Sequence, residues 1–147
     1  MVPRIGRVTV LTKGTRLPFS KKTAVRYAEK ILSMLNMGSE RACILFMNDL
    51  GIKRLNKKYR KRDKSTDVLA FETGDIAISA ERAAKNSKRF GSTVADELKL
   101  YMIHGILHLF GYDDGNSRDS RKMARKQNRI LDKLCSCRNL SEVLMPR

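Results

Sequence analysis

Apolar and polar positions fall along the chain in short blocks, and their spacing separates strands from helices. Residues 5–12, IGRVTVLT, are rich in β-branched side chains and predict a strand. Residues 20–36 repeat apolar positions at helical spacing (Ala24, Tyr27, Ala28, Ile31, Leu32, Leu35), with Ser20 placed to cap the start. RACILFM, residues 41–47, suits a buried strand, and Asn48 then caps a helix to about Arg60 that turns Leu50, Ile52, Leu55 and Tyr59 inward. After a charged loop come two short strand-like runs, VLAF at 68–71 and DIAIS at 75–79. The three residues between them end in Gly74, as in a hairpin. Residues 80–89 predict a helix that stops before Gly91. Ser92 or Thr93 caps a longer one to about Phe110, with Gly111 as its stop, and a last basic helix covers roughly 117–135. The order β-α-β-α-β-β-α-α-α predicts an α+β fold. We expect one domain over 1–147, with a small, mostly four-stranded sheet packed with about five helices.

Composition narrows the setting. The chain has 147 residues, a length that supports one sizeable core, and contains no repeat or low-complexity linker. No apolar run is long enough to cross a bilayer. The N-terminal stretch does not read as a secretory signal, which points to the cytoplasm. Three cysteines without an export signal suggest reduced thiols, and the Cys135/Cys137 pair has no second pair to complete a zinc site. Thirty-one Lys and Arg against fifteen Asp and Glu give a net charge of +16. An excess of that size says little about fold and favours a polyanionic partner, of which nucleic acid is the commonest in a cytosol.

The candidate chemistry sits on the long apolar helix. The chain's two histidines, His104 and His108, are four apart, so both imidazoles leave one helix face and can converge on one ion. His104, His108, Gly111 and Asp114 stand at relative positions 0, 4, 7 and 10, those of the HExxHxxGxxH zinc motif. The helix presents two ligands, the glycine lets the chain turn back, and a third ligand arrives three residues later. Three protein ligands with an open position make a catalytic rather than a structural site. Two positions depart from the motif. Gly105 stands where a peptidase has its general-base glutamate, and Asp114 where the third histidine would be, with Asp113 as the neighbouring alternative ligand. Glu97, seven residues before His104 on a similar face, is a candidate to orient that ring.

The segment HGILHLFGYDD resembles the HGxLHLxGYDH signature of the YbeY family. STDVLAFETGDIAIS resembles that family's TDVLSFP and GDI-x-IS segments, and LNKKYRKRDKSTDVL resembles its LN-x-x-YR stretch. These segments lie in the family's order within residues 48–114, with a shorter insert between the second pair and with Ala70 and Glu72 in place of Ser and Pro. The resemblance implies an α+β fold with a metal-binding cleft on a central helix. It implies a single-strand-specific, metal-dependent endoribonuclease acting in small-subunit ribosomal RNA maturation and ribosome quality control. Its partners would be single-stranded RNA, ribosomal RNA and the small ribosomal subunit. On that resemblance His104 and His108 match the first two ligands of one divalent ion, most simply Zn2+. Asp114 occupies the third position, and Arg60 matches an arginine linked to activity.

Basic residues concentrate in two further places. KRLNKKYRKRDK, residues 53–64, holds eight basic side chains and one acid, and Arg60 there could grip a phosphate in two hydrogen bonds. The last helix carries Arg118, Arg121, Lys122, Arg125, Lys126, Arg129 and Lys133, a surface suited to ribosomal RNA. Two other readings share these features: a ribosome-associated RNA-binding factor with a weakened site, and a zinc hydrolase or peptidase with the same motif spacing.

Overall fold

The computed structural model describes residues 7–60, 67–112 and 115–134. Its strands are β1 Val8–Lys13, β2 Ala42–Met47, β3 Val68–Ala70 and β4 Asp75–Ser79. Its helices are α1 Lys21–Met34, α2 Asp49–Arg60, α3 Ala80–Phe90, α4 Val94–Leu109 and α5 Ser117–Leu134. The elements follow in the order read from the pattern, and the class is α+β. The residues marked as caps act as caps. Oγ of Ser20 accepts from the Thr23 N–H at 3.0 Å, Oδ1 of Asn48 from Gly51 at 2.8 Å, and Oγ1 of Thr93 from Asp96 at 3.1 Å.

The four strands form one mixed sheet in the order β1-β2-β4-β3. β1 and β2 run parallel, as do β2 and β4, so each of these pairs needs a crossover. β3 and β4 are antiparallel and joined by the expected tight turn, where the Phe71 N–H donates to the Asp75 carbonyl at 2.9 Å. Strand alternation sorts the side chains onto two faces. One face carries Val8, Val10, Ile44, Phe46, Ile76 and Ile78. It is covered by Ala24, Ala28, Ile31 and Leu32 of α1 and by α4, with Met123, Ile130 and Leu131 of α5 in the same core. The other face carries Met47, Leu69 and Ala77, which pack with Ile52 of α2.

Helix α4 runs through the centre of this arrangement, and ten of its residues are buried. A helix apolar on nearly all sides must be surrounded, and this one lies among the sheet, α1, α3 and α5. Its end is specified by Gly111, at φ 94°. That left-handed residue turns the chain so that the Tyr112 N–H reaches the Leu107 carbonyl at 3.0 Å and the Gly111 N–H the His108 carbonyl at 3.3 Å. Two such bonds define a Schellman stop.

Helix α2 departs from expectation. Ile52 is buried and Leu55 half-buried, but Leu50 is 53% exposed and Tyr59 58% exposed. Leu50 stands about 200° around the helix from Ile52, so it faces away from the sheet. Tyr59 shares the inward face but lies in the last turn, where its ring meets Phe71 edge-on with centroids 5.7 Å apart. The inward position between them is Asn56, only 3% exposed.

Candidate functional site

His104 and His108 lie half-buried in the last two turns of α4. Their Nε2 atoms stand 3.0 Å apart, with the rings steeply inclined at 70°. Two neutral imidazoles at this distance share one N–H···N hydrogen bond. With His108 in its other neutral tautomer, both nitrogens aim lone pairs at one point between them. Two zinc–nitrogen bonds at the tetrahedral angle would set the nitrogens roughly 3.3 Å apart. The pair therefore fits a divalent ion with little adjustment.

The partner of His104 comes from another helix. Its Nδ1 meets the Oε1 of Gln127, on α5, at 3.0 Å. No sequence signal points to this residue, since it lies 23 positions away and belongs to no motif with the histidines. The local candidate, Glu97, is completely buried in the first turn of α4, where its Oε1 accepts from the Ser92 hydroxyl at 2.9 Å. That point is about 10 Å of helix rise before His104.

Gly105 has a steric role beside its chemical one. A Cβ there would stand 2.7 Å from Cγ2 of Ile76 and 3.0 Å from Cγ1 of Val68. The helix thus rests on β3 and β4 through this glycine, and a glutamate in the same place would be driven into the sheet. The position that supplies a general base in zinc peptidases points here at packed hydrocarbon, and the peptidase reading loses its base on steric grounds.

Beyond Gly111 the chain heads towards Asp113 and Asp114, both of which lie outside the described residues, as do Cys135 and Cys137. Among the described residues no third histidine, cysteine or carboxylate joins the pair. Against the turn lies a pocket of about 210 Å³ lined by Phe110, Gly111, Tyr112, Asp119 and Lys122. Arg60 closes α2, and its side chain falls outside the description. Its neighbours Arg54, Lys57 and Lys58 are exposed, with the Lys58 ammonium 5.2 Å from the centre of the Tyr59 ring. On α5 Arg118, Arg121, Arg125 and Arg129 are all exposed, while Met123, Ile130 and Leu131 are buried. Cys43 is a free, half-buried thiol. Burial pushes its pKa up and Asp75 adds to the effect, which disfavours the thiolate. No helix among the described residues is long and apolar enough to cross a membrane.

Comparison with known proteins places these features. The family model described as endoribonuclease YbeY matches residues 12–135. The endoribonuclease YbeY of Aquifex aeolicus (strain VF5) is 33% identical over 136 residues, which are 85% of this chain and 91% of that protein. The one from a Sulfurihydrogenibium species (strain YO3AOP1) is 38% identical over 127 residues, 78% of this chain and 84% of the relative. Among solved structures, the solution structure of TM1509 from Thermotoga maritima matches with a TM-score of 0.62 at 28% identity, over 86% of this chain and 88% of that one. Fold and sequence together define an endoribonuclease, an enzyme that hydrolyses RNA phosphodiester bonds. The chain belongs to the endoribonuclease YbeY family.

Proposed function

We propose that the chain is a zinc-dependent endoribonuclease specific for single strands, acting in the cytoplasm on small-subunit ribosomal RNA during its maturation and in ribosome quality control. One observation carries the metal part of this reading: two imidazole nitrogens meet at 3.0 Å on the central helix of a YbeY-family chain. His104 and His108 are the first two ligands, and Asp114, three residues past the Gly111 turn, is the third. An aspartate in that place adds a negative charge and a harder oxygen donor to the two nitrogens. When bound, the ion supplies Lewis acidity towards a phosphoryl oxygen and an attacking water.

The remaining roles fall to the chain's cations. Arg60 takes a phosphate next to the scissile bond in a bidentate grip and stabilises the charge that builds there. The exposed arginines of α5 and the lysines of α2 hold the flanking strand through its phosphates. A net charge of +16 suits binding to ribosomal RNA and to the small subunit.

The decisive experiment is elemental analysis of purified wild type beside His108→Ala and Asp114→Ala, each then incubated with single-stranded ribosomal RNA fragments. The expected result is about one zinc per chain in wild type, lost in both variants together with cleavage. A wild-type chain that takes up no metal and cuts no RNA, even with zinc added, would overturn the proposal.

A further inference from the structure

Gln127 sits where a polar side chain needs a reason. Met123, Ile130 and Leu131 of α5 are 2%, 2% and 0% exposed, and all three join the main core. Gln127 lies at the centre of that stripe, four residues after the first and three and four before the others, so it faces α4 with them. Gln127 itself is half-buried there, an amide withdrawn from water costs free energy unless it is hydrogen-bonded, and its oxygen meets Nδ1 of His104 at 3.0 Å.

The chemistry of that contact is directional. An amide oxygen accepts, so the His104 Nδ1 must carry the proton. A neutral imidazole protonated at Nδ1 has its lone pair on Nε2, and Nε2 is the atom 3.0 Å from His108. This contact favours that ring orientation and that tautomer before anything binds. We infer that Gln127 is the positioning residue of this site: it holds His104 in the tautomer whose Nε2 can ligate a cation, from a helix that shares no motif with the ligands. This rests on the proposed metal role of the two histidines. The amide is neutral, so Gln127 orients the ligand without adding charge to the site.

The test uses the full chain in wild-type form and as Gln127→Met, Gln127→Glu and His108→Ala, with Gln127→Asn as a second disabling change because its shorter amide falls short of the ring. Long-range proton–nitrogen NMR of the metal-free proteins reports the His104 tautomer. Competition against a chromophoric chelator gives the zinc affinity, and thermal melting shows that each variant is folded. Wild type and Gln127→Glu are expected to hold the Nδ1–H tautomer. Gln127→Met and Gln127→Asn are expected to shift towards the other tautomer and to bind zinc about 10- to 100-fold more weakly. An identical tautomer in wild type and both disabling variants would overturn the inference. So would unchanged zinc affinity in those variants when His108→Ala has lost it. Failure of wild type to bind zinc would instead sink the metal reading, and the tautomer comparison would still decide the role of Gln127.

Discussion

At position 105 two demands meet in one residue. Glycine in mid-helix is disfavoured by about 1 kcal/mol relative to alanine, so Gly105→Ala should stabilise α4 if propensity alone mattered. The missing Cβ is instead what lets the helix rest on the sheet, since a Cβ at this position would stand 2.7 Å from Ile76 Cγ2 and 3.0 Å from Val68 Cγ1. Overpacking a core at such contacts costs about 1–3 kcal/mol, so Gly105→Ala is expected to lower the melting temperature despite the better helix former. A rise in melting temperature would show that the sheet yields and that the close approach is not required. Tyr59 poses the converse question. Its pattern position suggests core, yet the residue is 58% exposed beside a basic helix end. Tyr59→Ala should therefore change stability by no more than about 0.5 kcal/mol. If the ring stacks on an unpaired base, the same change should weaken single-stranded RNA binding by roughly tenfold. Filter binding and urea melts of one preparation would separate the two effects. The histidine pair was legible because a four-residue spacing on a helix converts directly into geometry. Gln127 was not, since its contact with His104 depends on how α5 packs on α4, which no local pattern encodes.

Elements are tied to one another by charged groups as well as by the core. Asp49, in the first turn of α2, accepts from the Ser79 hydroxyl at 2.5 Å and from Lys85 at 3.0 Å, with Arg82 at 3.7 Å. Ser79 is the N-cap of α3, so this cluster clamps the starts of two helices together. Burial would raise the Asp49 pKa, but the bonds from Ser79 and Lys85 and the charges of Arg82 and Lys85 outweigh it and hold the pKa below the ordinary carboxylate value. A depressed folded-state pKa contributes stability that is present above the unfolded value and lost as pH falls through the folded one. Asp49→Asn should thus destabilise the protein by about 1 kcal/mol near neutral pH, with the deficit shrinking as the medium is acidified below the unfolded carboxylate pKa. Urea denaturation of both proteins at neutral pH and in acid would check this, and a deficit independent of pH would rule out the ionic clamp. The elements themselves were readable because caps and stops are local: Ser20, Asn48, Thr93, Gly91 and Gly111 all act where the pattern put them. Leu50 is apolar, but its angle around the helix carries it away from the sheet.

For the whole molecule, the order of elements was legible but the sheet order β1-β2-β4-β3 was not. A period-two pattern marks a strand without naming its neighbour, and parallel partners are brought together by crossovers rather than by adjacent turns. The net charge was equally plain, and the fold decides where it acts. Helix α5 divides its two sides sharply, with Met123, Gln127, Ile130 and Leu131 towards α4 and Arg118, Arg121, Arg125 and Arg129 in solvent. The helix that positions His104 thus also presents a row of cations on its opposite, solvent side. If these arginines track a single strand, each phosphate contact releases counterions and contributes about 0.7 to the slope of log affinity against log salt. Replacing all four by glutamine should reduce that slope by up to about 3, weaken binding at low salt far more than at high salt, and leave the melting temperature nearly unchanged because the four side chains are exposed. Zinc affinity should also survive, since none of the four touches the histidines in this reading. An unchanged salt slope would mean that the strand approaches over α2 instead, and the same substitution at Arg54, Lys57 and Lys58 would then carry the loss.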